Sequence, residues 1–177
     1  LVEAAFSRLV IATFAVPDAA SALVRLRAMG IEASLLASVL VGTINQRLLR
    51  QICSHCRVPE ILTGSDRFGL SADGRTTELY KARVVPLDMR QVMAREERLC
   101  SHCGGAGYRG RLGCYEVMEI DKTLSAFIGR DMPSDQLHAA AVRTGMKTLL
   151  ASSLELVKQG STTLQEIERS ILPPVQR

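Results

Sequence analysis

The spacing of apolar and polar residues changes period along this chain, and each period predicts a different element. Leu1-Val2-Glu3-Ala4-Ala5 reads as the middle or end of a helix with no cap before it, with Glu3 on a solvated face. The chain is therefore expected to be a piece of a longer protein. Arg8–Phe14 is a β-rich run with little alternation, the pattern of a strand buried on both faces of a parallel sheet. Pro17-Asp18 suits a first helical turn, the helix continues to Met29, and Gly30 ends it. A second helix is predicted from Glu32 to Leu49, with Leu35, Leu36, Val39, Leu40, Ile44 and Leu48 along one face. Residues 1–50 thus read as helix–strand–helix–helix, a piece of an α/β layer.

Further on, Thr63-Gly64-Ser65-Asp66 and Ala72-Asp73-Gly74-Arg75 are turn signals. A helix is expected from Pro86 or Leu87 to Leu99, then a tight glycine-rich loop over 104–110 and a strand from Gly113 to Ile120. Asp121 caps a helix at Lys122–Ile128, and Ser134 caps another at Asp135–Thr144. Gly145-Met146-Lys147 breaks the chain. Leu149–Lys158 follows as a helix ended by Gly160, with Leu149, Leu150, Leu154 and Val157 as its core stripe. Thr163 and Glu166 form a T-x-x-E capping box for a last helix to about Ile171, stopped by Pro173-Pro174. The expected organisation is an α/β segment over 1–50, a cysteine-bearing segment over 51–110, and a strand with a small helical layer over 111–177.

Composition adds limits. Hydrophobic residues make up 47% of the 177 residues but aromatic ones only 4%, so the core is aliphatic. The net charge of +4 is too small to argue for nucleic acid by itself. No apolar run reaches the roughly 18 residues of a membrane span.

The chemistry lies in a repeated tetrapeptide, Cys53-Ser54-His55-Cys56 and Cys100-Ser101-His102-Cys103. Two C-x-x-C turns can point four thiolates at one centre, the ligand set of a closed structural zinc site. The insert between the pairs exceeds the roughly 15–20 residues of a simple zinc ribbon. Closing a longer loop costs only about 0.6 kcal/mol per doubling, so the metal would clamp a sub-domain. A redox pair, two disulfides or four unligated thiols are the competing readings. Cys114 is left over and reads as a small buried hydrophobe. His55 and His102 are read as exposed or outside the ligand set, with ligand exchange as the alternative.

These features, in this order, resemble the C-terminal half of the traffic ATPases of type II secretion and type IV pilus assembly. The likeness rests on Asp18-Ala19-Ala20 with Arg25-Leu26, Met29-Gly30-Ile31 and Leu35-Leu36-Ala37-Ser38, and on Gln46-Arg47-Leu48-Leu49-Arg50 leading into the first knuckle. It rests further on Gly107-Tyr108-Arg109-Gly110-Arg111-x-Gly113-x-Tyr115-Glu116 after the second knuckle. Gly145-Met146-Lys147-Thr148-Leu149 and Gly160-Ser161-Thr162-Thr163-Leu164-x-Glu166 complete it.

The resemblance implies an α/β fold: the C-terminal part of a RecA-like ATPase domain (1–50), a four-cysteine zinc sub-domain (51–110) and a C-terminal helical layer (111–177). It implies structural zinc on Cys53, Cys56, Cys100 and Cys103, and ATP with Mg²⁺ for an intact member. It also implies a hexameric ring at the cytoplasmic face of the inner membrane, meeting platform proteins of a secretion or pilus system, with no specific nucleic acid.

Two departures limit the activity expected. No G-x-x-x-x-G-K-[ST] loop and no Gly-Lys dipeptide occur, so these residues cannot cradle ATP in the P-loop manner. They are expected to be inactive by themselves, with no catalytic or nucleotide-binding residue. Where the family carries a His before and after the strand at Leu9–Phe14, this chain has Arg8 and Ala15. An intact version is then a degenerate member that hydrolyses ATP poorly. Arg8 is read as an exposed strand-start residue, and as a substitute for the first His only secondarily.

Arg47 and Arg50 are read as cations at a helix C-terminus, the alternative being contact with a neighbouring subunit's nucleotide. Arg109 and Arg111 are read as pairing within the loop, with Glu116 as partner, or as a partner contact. The competing function is a stand-alone zinc module for protein or nucleic-acid contacts. Sparse aromatic and scattered basic residues argue against its nucleic-acid form.

Overall fold

In a computed structural model, residues 2–62, 68–70 and 77–172 are described. The turn signals at 63–66 and 72–75 and the stop at Pro173-Pro174 lie outside them. Contacts divide the chain into two units, Leu1–Gln46 with Tyr115–Ser152 and Arg47–Cys114 with Ser153–Arg177. Segment 51–110 falls wholly within the second unit, whereas 111–177 is shared between the two.

The first unit begins with a 3₁₀ turn, Glu3–Phe6, with Glu3 exposed as expected. Residues 9–16 form no regular element, and Leu9 and Ile11 are 79% and 83% exposed. This corrects the predicted strand at Arg8–Phe14: a strand of that composition needs neighbours on both edges and cover on both faces, and none of the described residues supplies them. Helix α1 (Ser21–Ala28) follows a turn in which the Asp18 carboxylate accepts from the Ser21 N–H and hydroxyl at 2.7 and 2.8 Å.

Helix α2 runs only from Ala33 to Val39, and strand β1 takes Gly42–Ile52. The predicted helix to Leu49 is therefore wrong in its second half. Leu40 is already extended (φ −79°, ψ 122°), and burial then alternates, with Asn45 buried, Gln46 exposed, Leu48 exposed and Leu49 buried. Pairing with β4 (Tyr108–Glu119) overrides the helical spacing of Ile44 and Leu48. The two strands run antiparallel, since Ile120 N donates to Val41 O and Cys53 N donates to Gly107 O.

Helices α4 (Lys122–Gly129) and α5 (Ser134–Arg143) complete this unit. Asp121 caps α4 as expected, its carboxylate accepting from Leu124 N at 2.7 Å. Ser134 is not a cap: Pro133 takes the capping position and Ser134 is the first helical residue, with no side-chain cap bond. The core gathers Leu23, Leu36, Met118, Leu124, Ile128 and Leu137.

The second unit carries a second antiparallel ribbon, β2 (Val58–Leu62) with β3 (Thr77–Lys81), in register Val58↔Lys81 to Leu62↔Thr77. Pro59 obscures β2 in the sequence, yet a two-stranded ribbon leaves each strand an edge that tolerates it. Helix α3 spans Leu87–Arg95, shorter than predicted, and Glu97 lies in the left-handed region (φ 54°) just past its end. Helices α6 (Leu149–Lys158) and α7 (Leu164–Ser170) match the predicted spans closely. Leu149 and Val157 are buried, and so are Leu49, Leu79, Cys114 and Ile167.

Candidate metal centre

Each C-x-x-C is a turn closed by its own backbone. Cys56 N and Arg57 N donate to Cys53 O at 3.4 and 3.0 Å, and Gly104 N donates to Cys100 O at 2.8 Å. The first turn leaves the end of β1 and the second precedes the start of β4. Because those two ends are paired, with Cys53 N on Gly107 O at 3.0 Å, thiols 47 positions apart meet.

The sulfur atoms of Cys53, Cys56, Cys100 and Cys103 all lie within 4.8 Å of one another. Cys53 Sγ is 3.9 Å from Cys100 Sγ, and Cys56 Sγ is 3.6 Å from Cys103 Sγ. A tetrahedron with Zn–S bonds of about 2.3 Å has edges of about 3.8 Å, so the separations fit a four-thiolate metal site. Cys53 is buried and the other three are half-buried.

The thiols cannot all ionise side by side without a cation. Burial, then the neighbouring Cys103, Cys53 and Cys100 thiols, push Cys56 well up. Cys100 is drawn down to about 7 by the backbone N–H groups of Cys103 and His102. A divalent ion relieves this conflict by favouring the thiolate at all four positions, and it would supply a structural crosslink, not a reactive centre.

Gly107 has φ +74°, and its N–H points at Cys103 Sγ from 3.4 Å. A Cβ there would stand 2.9 Å from Val84 Cγ2 and 3.1 Å from Arg83 C. Gly107→Ala is accordingly expected to cost about 2 kcal/mol, the order of one strained backbone position. A lowered thermal midpoint of the metal-loaded protein would register it; an unchanged midpoint would contradict it.

His55 and His102 are exposed and stack with ring centroids 3.3 Å apart. Arg109 approaches His102 Nδ1 at 3.4 Å. A cleft of about 410 Å³ opens beside the cluster, lined among others by His55, Cys56, Arg83, Arg98, Cys100 and His102.

Two buried glutamates organise the rest, and sequence reasoning missed both roles. Glu116, 2% exposed on β4, accepts from Ala19 N at 2.8 Å and Leu149 N at 3.1 Å and sits 3.4 Å from His138 Nε2. These contacts replace the expected pairing with Arg109 or Arg111. Glu116→Gln keeps the size but removes the charge, and about 2 kcal/mol of destabilisation is expected from the weakened amide and imidazole bonds. Chemical denaturation compared with wild type tests this, and equal midpoints would refute it.

Glu166, fully buried on α7, accepts from Arg50 N at 2.9 Å, Arg50 Nε at 2.7 Å and Arg169 Nη2 at 2.6 Å. Arg50 also stacks 4.1 Å over the Tyr108 ring. Arg47 and Arg50 thus stand on a strand, which corrects their placement at a helix C-terminus. Only half of the predicted capping box forms: Thr163 Oγ1 accepts from Glu166 N at 3.2 Å, while the Glu166 side chain turns to the arginines. Arg8 and Ala15 are both exposed.

The family model described as Type II/IV secretion system protein matches residues 3–169. A type IV pilus assembly ATPase, PilB, of Thermus thermophilus is 37% identical over 172 residues, covering 93% of this chain and 17% of the relative. The type II secretion system protein HxcR of Pseudomonas aeruginosa is 34% identical, covering 91% of this chain and 28% of the relative. The type II secretion system ATPase E of Vibrio cholerae is 31% identical, with 91% and 29% covered. The chain therefore spans less than a third of the length of these relatives. Among the described residues, no helix is long and apolar enough to cross a membrane.

Proposed function

Since the chain belongs to the type II/IV secretion system protein family, we propose that it forms the C-terminal, zinc-bearing part of a traffic ATPase that drives protein secretion or pilus assembly. In this reading residues 1–50 belong to the end of a RecA-like domain, and Cys53, Cys56, Cys100 and Cys103 hold one Zn²⁺. The ion clamps segment 51–110 as a sub-domain. ATP with Mg²⁺ acts in an intact protein, on residues other than these. That protein assembles as a hexameric ring at the cytoplasmic face of the inner membrane and meets the platform proteins of its system. With Arg8 and Ala15 in place of two histidines, its hydrolysis is weak.

The observation that carries this reading is the convergence of four thiols at metal-ligand spacing in a chain matched by the family model almost end to end. Two measurements test it. Metal analysis of the purified chain should give one zinc per chain. Immunoblotting of source cells with an antibody to this chain should detect a product much larger than 19.3 kDa. A native product of that small size would overturn the motor assignment and leave the stand-alone zinc module. Salt-sensitive retention on single-stranded DNA would then mark the module as a nucleic-acid binder.

A further inference from the structure

We infer that the cysteine cluster is also a site of oxidative modification, where a hydroperoxide converts the four thiols into two disulfides, Cys53–Cys100 and Cys56–Cys103, that keep the knuckles clasped after the metal leaves. This inference rests on the metal-centre reading. It follows from access, pairing and backbone geometry.

Access comes through the cleft beside the cluster, whose lining includes Cys56 and Cys100. These are one thiol from each of the two cross-knuckle contacts. Their partners are already adjacent: Cys103 Sγ lies 3.6 Å from Cys56 Sγ, and Cys53 Sγ lies 3.9 Å from Cys100 Sγ. A disulfide of about 2.05 Å then needs each pair to close by under 2 Å. Within each knuckle the backbone bonds Cys56 N to Cys53 O and Gly104 N to Cys100 O hold the turn shape, so the thiols keep facing across the gap.

The chemistry balances. A peroxide oxygen accepts two electrons from the half-buried thiolate that borders the cleft to form a sulfenic acid, releasing water or alcohol. The neighbouring thiolate attacks that sulfur, the S–S bond forms, and a second water leaves. Two peroxides and four protons per chain yield two disulfides, four oxygen-derived water or alcohol molecules and one free Zn²⁺.

Four cysteines allow three pairings, and the consequence separates those across the knuckles from the one within them. Disulfides across the knuckles tie the insert at the same two points as the metal did. Disulfides within them, Cys53–Cys56 and Cys100–Cys103, would leave the insert free.

The test uses the zinc-loaded wild-type chain, with Cys114→Ala as a parallel sample lacking the fifth thiol. Zinc is assayed before and after titration with hydrogen peroxide, and disulfides are mapped by peptide mass spectrometry under non-reducing conditions. The expected result is release of one zinc per chain for two peroxides, peptides joined as Cys53–Cys100 and Cys56–Cys103, and retained amide protection over 47–62 and 104–114. Within-knuckle disulfides, the crossed pairing Cys53–Cys103 with Cys56–Cys100, sulfinic acids or inter-chain links would overturn the inference, as would zinc that resists peroxide. Absence of zinc before any oxidant would instead sink the metal-centre reading.

Discussion

Replacing any one of Cys53, Cys56, Cys100 or Cys103 with Ser is expected to release the metal and unfold segment 51–110. A structural zinc site contributes about 10–16 kcal/mol of apparent binding free energy at neutral pH, and that energy is folding energy. A whole domain is stable by only about 5–15 kcal/mol, so no other contact in this unit can compensate. The elements near the site are small. The β2–β3 ribbon has two strands and α3 has nine residues, none of them buried, so neither is stable by itself. The buried residues Leu79 and Val85 bring some apolar support, and Val85 N is tied to Gly105 O at 2.8 Å just past the second knuckle. That contact depends on the knuckle holding its shape.

The measurement is zinc per chain together with amide exchange over 47–62 and 104–114. Chelation of the wild-type protein should produce the same loss of protection. Cys114→Ser, which removes no ligand because Cys114 is buried outside the cluster, should keep its zinc. Stoichiometric metal in all four ligand variants would refute the site.

Glu166→Gln is expected to destabilise the metal-loaded protein by about 3 kcal/mol at neutral pH. Burial by itself raises the Glu166 carboxyl, but hydrogen bonds from Arg169 and Arg50, the Arg50 backbone N–H and the Arg50 charge outweigh it. Together they hold the group at about 2 instead of 4.5. The folded-state value is the lower one, so the carboxylate stabilises the fold fully above the unfolded value near 4.5. The contribution is lost as pH falls from there toward about 2. Acid protonates thiolates and would strip a bound metal from both proteins, so the informative quantity is the difference between wild type and Glu166→Gln. That difference should be constant from pH 8 to about pH 5 and shrink below it. A difference that grows as the pH drops would reverse the sign and reject the assignment. Arg50→Lys provides a second reading. It keeps the charge but not the planar guanidinium that reaches Glu166 and stacks on Tyr108, and an intermediate loss is expected.

Much of this molecule is legible residue by residue. Asp121 before Lys122 and Thr163 before Leu164 cap their helices as their side-chain chemistry dictates, and Gly160 ends α6 with φ +68°. The helices from Lys122 onward follow their apolar spacing because capping and i,i+4 contacts are local, settled within one or two turns of the chain. The four ligand candidates also come from spacing alone, since a C-x-x-C turn is itself local geometry.

Long-range pairing decided the remainder. Ile44 and Leu48 have helical spacing, yet β4, distant in sequence, recruits them into a strand, and nothing near residues 42–52 announces that partner. Arg8–Phe14 has strand composition, yet among the described residues no neighbouring strand meets it, and it forms no regular element, with Leu9 and Ile11 exposed. In the sequence Glu116 reads as a partner for the loop arginines and Glu166 as half of a capping box. They are buried because donors from far along the chain, Ala19, Leu149 and Arg50, converge on them. Whether the two knuckles meet rests on the same cause: paired strand ends hold thiols 47 residues apart within 4 Å. Turn and cap energies are intrinsic to a few neighbouring residues, whereas a strand, a buried charge or a shared metal acquires its stability only from groups that the folded chain brings to it.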